Sequence, residues 1–144
     1  MKTVPSEDAL IEAAWGARDN AYAPYSQFQV GAAVLTGSGR IYPGGNVENV
    51  AYPVGLCAER SAVAAAISAG EREIVAVAVV AGTPKPLTPC GMCRQTLFEF
   101  GLEIQIVSED LSGTRERHSL ADLLPQEFGR EDLSQATGEA YEEG

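Results

Sequence analysis

Eight consecutive apolar residues, Ile74 to Ala81 (IVAVAVVA), constrain the fold of this chain more than any other stretch. The run is far short of the roughly 20 residues a membrane-crossing helix needs. Charged Glu71-Arg72-Glu73 precedes it and Gly82-Thr83-Pro84 follows it. A short apolar run bounded in this way reads as a strand buried on both faces. Helices must then cover the sheet from either side. The length of 144 residues suits one domain built on that plan.

The flanking sequence supplies the layers. Ser6, Glu7 and Asp8 open a helical pattern carried by Leu10, Ile11, Ala14, Trp15 and Ala17. Pro24 breaks it. Phe28 to Leu35 reads as a strand, Gly37-Ser38-Gly39 as a turn, and Arg40 to Pro43 as the returning strand. Gly44 to Leu56 reads as loop. Alanine-rich Cys57 to Ala69 reads as a helix ended by Gly70. Gly91 to Phe100 predicts a third helix, stopped by Gly101. Leu102 to Ser108 and Thr114 to His118 predict two more strands, and Ser119-x-x-Asp122 caps a short helix, Leu120 to Leu124. The order α-β-β-α-β-α-β-β-α indicates an α/β fold of three layers. Residues 1–129 are expected to form the domain. Residues 130–144, with five acids and one base, are expected to be a loosely ordered acidic tail.

Chemistry concentrates at three cysteines, Cys57, Cys90 and Cys93. An odd number cannot all pair within one chain, so a disulfide framework is a poor explanation. The N-terminus shows no apolar signal stretch, and free thiols suit a reducing compartment, so a cytoplasmic protein is expected. Pro89-Cys90-Gly91-Met92-Cys93 is a C-x-x-C at a predicted helix start, where the helix dipole favours thiolate. Alone it would equally suit a structural zinc knuckle or a redox pair. Cys57 opens another predicted helix, and three thiolates from two helix starts suit Zn²⁺ with one position left open. His118, the only histidine, could instead close a Cys₃His structural site. Glu59, two residues after Cys57, is badly spaced for a ligand and well spaced for a proton carrier. A ligand-x-Glu followed by Pro-Cys-x-x-Cys is the grouping of the zinc deaminases of bases.

With these residues in place, the sequence resembles the cytidine deaminases, specifically their small, homotetrameric, three-cysteine branch. The resemblance spans roughly Ala21 to Phe128. It rests on Tyr22–Ala33 (YAPYSQFQVGAA), Asn46–Asn49 (NVEN), Cys57–Arg60 (CAER), Pro89–Gln95 (PCGMCRQ) and Leu123–Phe128 (LLPQEF). It implies a three-layer α/β/α sandwich with a central mixed five-stranded sheet. The activity implied is hydrolytic deamination of cytidine and 2'-deoxycytidine, with one zinc per chain held by Cys57, Cys90 and Cys93. Glu59 is implied as the proton carrier and Arg60 as a donor offsetting the thiolate charge. Asn46 and Glu48 would grip the sugar, Phe28 would pack on the base, and Ala58 would bind the base through its backbone. Phe128 would come from a neighbouring subunit of a homotetramer. Without the resemblance, Phe28 would read as core, Asn46 and Asn49 as turn residues, and Glu48 as a solvated carboxylate. Gly45 departs from the pattern, where the family commonly has a cysteine that is not a ligand. Arg94 has no assigned role. Another aminopyrimidine nucleoside, such as blasticidin S, is the nearest alternative substrate.

The net charge of -10 bears on partners. Binding to nucleic acid by neutralising phosphates, or docking on an anionic membrane, would need a basic surface. A small neutral nucleoside needs none.

Overall fold

A computed structural model describes residues 4–141. Ser6 caps the first helix, α1 (Glu7–Asp19), accepting from the Ala9 amide at 3.1 Å. β1 (Val30–Thr36) and β2 (Ile41–Gly45) form a hairpin. A single 3-10 turn, Tyr52–Val54, interrupts the loop before α2 (Ala58–Ser68). β3 (Ile74–Ala81), α3 (Gly91–Phe98) and β4 (Gln105–Glu109) make the one crossover between parallel neighbours. β5 (Arg115–Ser119), α4 (Leu120–Leu123) and α5 (Arg130–Thr137) complete the order.

The sheet runs β2-β1-β3-β4-β5, with only β3 and β4 parallel. It is therefore mixed, and β3, the apolar run, lies at its centre. Alternation by two along each strand divides the core. Ala32, Val34, Val77, Val79 and Ile106 face α2, α3 and α4, packing on Ala62, Ala66, Leu97 and Leu120. Ala33, Leu35, Ala78, Val80 and Val107 face α1, packing on Leu10, Ile11 and Ala14. Both faces of β3 are covered from Val77 on, which is why its sequence shows no polar alternation there; Val75, near its start, is exposed.

Small residues let the helices lie close to the sheet. A side chain on Gly31 would come within 1.9 Å of the Ala14 carbonyl in α1. One on Gly44 would come within 2.3 Å of the Ala62 amide in α2. At Gly45 a Cβ would meet the Ala17 carbonyl at 2.8 Å and Ala21 Cα at 3.1 Å. Glycine at 45, where the family commonly has cysteine, thus goes with close seating of the end of α1.

Three local expectations change. β1 starts at Val30, not Phe28, because Gln27 turns the chain with φ of 58°. β2 runs on to Gly45 through Pro43, which an edge strand tolerates because it need not donate to a neighbour on its open side. Residues 130–137, expected to be loosely ordered, form α5 instead. Asp132 accepts from the Gly129 amide at its start, Gly138 closes it with φ of 72°, and it buries no residue.

Candidate metal centre and adjoining cleft

Cys57 and Cys90 occupy the same structural position, the residue that caps α2 and α3 respectively. Neither side chain caps its own helix, so both sulfurs are directed to other work. Cys93, one turn into α3, is fully buried. The three sulfurs lie within 4.8 Å of one another, with Cys90 and Cys93 3.4 Å apart. Tetrahedral zinc with arms of about 2.3 Å would place its sulfurs about 3.8 Å apart. The donor set and its spacing therefore fit zinc. Among the described residues no histidine joins the group. His118 lies on the edge strand β5 beside Glu116, at 3.4 Å, which removes the closed Cys₃His alternative.

The electrostatics follow from burial and helix geometry. Burial opposes ionisation of the Cys90 thiol, but the Cys93 amide and then the Cys93 and Cys57 thiols outweigh it, holding Cys90 below the usual thiol range. Cys93 is pushed up, first by burial and then by the Glu59 charge against it. Metal binding by cysteine requires the thiolate, so a bound cation would have to displace the proton that burial and Glu59 hold on Cys93. Glu59 itself is 5% exposed, one of few charged side chains inside the domain. Ala58, at the first position of α2, is buried. Its amide belongs to the first turn, whose N–H groups have no partner within the helix.

Arg60 donates through Nη2 to the Gly55 carbonyl at 2.9 Å. Its Nε is buried and has no hydrogen-bond partner among the described residues. A buried guanidinium N–H left over in this way is a donor in want of an acceptor.

Gly55 also lines a cleft of about 310 Å³ with Tyr25, Ser26, Glu48, Asn49 and Tyr52. The Tyr25 and Tyr52 rings are 6.0 Å apart and tilted by 59°. Glu48 accepts from the amides of Tyr25 and Ser26 at 2.9 and 3.0 Å. The Ser26 hydroxyl is the chief cause holding its carboxyl below the usual range. Asn46 accepts from the Val30 amide at 2.8 Å and donates to the Phe28 carbonyl at 2.9 Å. A carboxamide has two donors and two acceptor sites, so one of each remains. The Phe28 ring, two residues before β1, is exposed. Phe128 is 62% exposed and is absent from the cleft lining; Gln95 on α3 holds its carbonyl at 3.0 Å.

Sequence reasoning missed Arg94. Its guanidinium donates to the Pro89 carbonyl at 2.7 Å, Thr88 Oγ1 at 2.8 Å and the Leu123 carbonyl at 2.8 Å. It fixes the loop before Cys90 and ties it to α4. The only sequence signal was its position next to Cys93. Tyr25, Ser26 and Tyr52 were missed as cleft residues because aromatic and hydroxyl side chains in a loop carry no spacing rule.

Known proteins are similar to this chain. Residues 5–109 match the family model for the cytidine and deoxycytidylate deaminase zinc-binding region. A cytidine deaminase of Sporosarcina psychrophila is 47% identical over 130 residues, covering 90% of this chain and 96% of the relative. One from Halalkalibacterium halodurans is 44% identical, covering 87% and 96%. The crystal structure of cytidine deaminase from Burkholderia pseudomallei superposes with a TM-score of 0.83 at 46% identity, covering 86% of this chain and all of that one. Likeness at this level extends well past a shared fold, and it runs through the segments that bring the three sulfurs together; the chain belongs to the cytidine deaminase family.

Proposed function

We propose that Glu59 carries the protons in this enzyme's reaction, with Cys57, Cys90 and Cys93 as the zinc ligands. The reaction follows from the family: zinc-dependent hydrolytic deamination of cytidine, and of 2'-deoxycytidine, to the uridine nucleoside with release of ammonia. Zinc, when bound, supplies the Lewis acidity that makes water a nucleophile at neutral pH. The Glu59 carboxylate takes a proton from the attacking water and delivers it to ring N3, which makes C4 electrophilic. It then takes the remaining proton from the new C4 hydroxyl and passes it to the departing amino group, which leaves as ammonia, so its own charge is restored each cycle. Burial beside Cys93 is the single observation that carries this role: it puts a carboxylate out of bulk water at the metal ligands. Arg60 Nε serves the thiolates as a donor and withdraws charge from them. The amide of Ala58 meets the base, Phe28 packs on it, and Asn46 and Glu48 hold the sugar.

The quaternary reading is a homotetramer in which Phe128 enters a neighbour's site. It is supported by exposed apolar side chains at Tyr22, Val47, Val50, Tyr52, Val54 and Phe128. No helix among the described residues is long and apolar enough to cross a membrane. A cytoplasmic setting is supported by three thiols needed as ligands. Residues 1–129 are read as the catalytic domain and 130–144 as an acidic extension.

The test is zinc content per chain together with the ultraviolet change on cytidine. Glu59→Gln should keep one zinc and lose turnover by roughly 10²–10⁴-fold. A Glu59→Gln protein with undiminished turnover would remove Glu59 from the mechanism. One zinc with no turnover of cytidine or deoxycytidine would remove the substrate assignment.

A further inference from the structure

We propose that Ser26 is the positioning residue of the nucleoside cleft, one hydroxyl that sets both the sugar-binding carboxylate of Glu48 and the backbone of Phe28. The inference rests on the reading of Glu48 and Phe28 as substrate contacts.

The hydrogen bonding around Ser26 fixes its direction. Its hydroxyl donates to Glu48 Oε2 and accepts from the Phe28 amide at 3.0 Å. A serine has one proton to give, so donation to the carboxylate leaves the lone pairs for the amide. The carboxylate is thereby nearly filled. Oε1 takes two amides, from Tyr25 and Ser26, and Oε2 takes the serine hydroxyl. A carboxylate offers about four acceptor sites. One is left, on Oε2, enough for a single sugar hydroxyl and not for a diol.

Phe28 is held from both sides. Ser26 takes its N–H and Asn46 Nδ2 donates to its carbonyl at 2.9 Å. Between Ser26 and Phe28, Gln27 adopts φ of 58°, a left-handed conformation that a non-glycine residue rarely takes. Its amide donates to the Ala23 carbonyl at 3.1 Å and its side chain to the Pro24 carbonyl at 2.9 Å. This bend lets a single hydroxyl reach Glu48 and the amide two residues on. Backbone outliers of this kind collect at ligand sites. Glu48, Asn46 and the Tyr25–Phe28 turn thus form one hydrogen-bonded unit, of which Tyr25, Ser26 and Glu48 line the cleft.

The test is a double-mutant cycle on the full chain with cytidine as substrate. Ser26→Ala should raise KM roughly tenfold, the effect of one lost hydrogen bond to a charged group, with kcat within about twofold. Ser26→Thr, which keeps the hydroxyl, should restore KM. In a Glu48→Ala background most of the Ser26→Ala effect should vanish, because the serine then has no carboxylate to set. An unchanged KM in Ser26→Ala overturns the inference. So does an effect of equal size with and without Glu48, which would make the serine only a brace for the turn. Should Ser26→Ala fold poorly, Ser26→Thr against Ser26→Gly gives the same comparison. If Glu48→Ala itself leaves KM unchanged, the sugar-contact reading fails and this inference falls with it. If Glu48→Ala raises KM and Ser26→Ala does not, this inference alone fails.

Discussion

Gly44→Ala should disable the metal centre from outside it. Gly44 lies on β2, paired with Ala32 of β1, and its α-carbon faces α2. A methyl group there would sit 2.3 Å from the Ala62 amide nitrogen, 2.8 Å from Ala62 Cα and 2.9 Å from the Ala58 carbonyl. All three are backbone atoms of α2, so no rotamer change relieves the clash. The helix must retreat by about 1 Å to reach ordinary contact distance. Overpacking of this kind costs about 1–3 kcal/mol, or roughly 3–10 °C in Tm for a domain of this size. The consequence for function is larger, because Cys57 caps α2 and α2 carries Glu59. Metal sites tolerate errors of about 0.2 Å, and a catalytic group displaced by about 1 Å costs around 10²-fold in rate. The assay measures zinc stoichiometry by atomic absorption, turnover on cytidine and Tm on one preparation. Gly31→Ala is the control: its methyl group would strike the Ala14 carbonyl of α1, on the opposite face, at 1.9 Å. It should lower Tm at least as far and leave zinc at one per chain. A Gly44→Ala protein with lowered Tm, full zinc and wild-type kcat would refute the reasoning.

Three other outcomes follow from the same structure. Arg60→Ala should lower kcat by about tenfold or more while zinc remains bound, since it removes a donor and not a ligand; wild-type kcat with full zinc would contradict the charge-offset role. Arg94→Gln loses its ties to Thr88, Pro89 and Leu123, and should speed zinc transfer to a colorimetric chelator by roughly tenfold; an unchanged rate would leave Arg94 a surface residue. Glu7 is held below the ordinary carboxylate range, first by its bond to Arg117, with burial opposing and Arg115 adding. A carboxyl lowered in the folded state favours folding above its ordinary range, and that contribution is lost as pH falls through the lowered value. Glu7→Gln should therefore flatten the acid limb of Tm against pH below about 4.5 and leave Tm near pH 7 little lowered, whereas an acid limb of unchanged slope would contradict it.

The parts of the fold that the sequence announces are those governed by one-dimensional rules. Ile74–Ala81 states its own burial, Ser6 caps α1, and Ser119 caps α4 by accepting from the Asp122 amide. The metal centre is legible for a related reason: Cys57-x-Glu59 and Cys90-x-x-Cys93 are spacing rules of helix starts. The cleft is not. Ser26 meets Glu48 across 22 residues and Arg94 meets Leu123 across 29, through loops whose course no periodicity fixes. Gln27 carries a left-handed φ that nothing in glutamine signals. The acidic 130–137 segment misled for the opposite reason. Composition without large apolar residues argues against burial, and α5 is indeed unburied, yet a helix can close on local capping alone.

A three-cysteine centre with a buried glutamate faces an unfavourable charge balance, and the fold resolves it locally. Three thiolates and the Glu59 carboxylate bring four negative charges to one place. Zinc offsets two of them, and Arg60 offsets a third if its unpaired Nε turns to the sulfurs. The remainder falls to α2 and α3, whose N-termini each present about half a positive charge to an adjacent ligand. With zinc bound, the site would close near neutrality. This balance depends on Cys57 and Cys90 being cap residues. A thiolate placed mid-helix would lose the dipole, and a fourth charged ligand would leave the zinc too electron-rich to activate water. The same two helix starts that bring the sulfurs together thus supply the charge that keeps a thiolate-bound metal acidic enough to work.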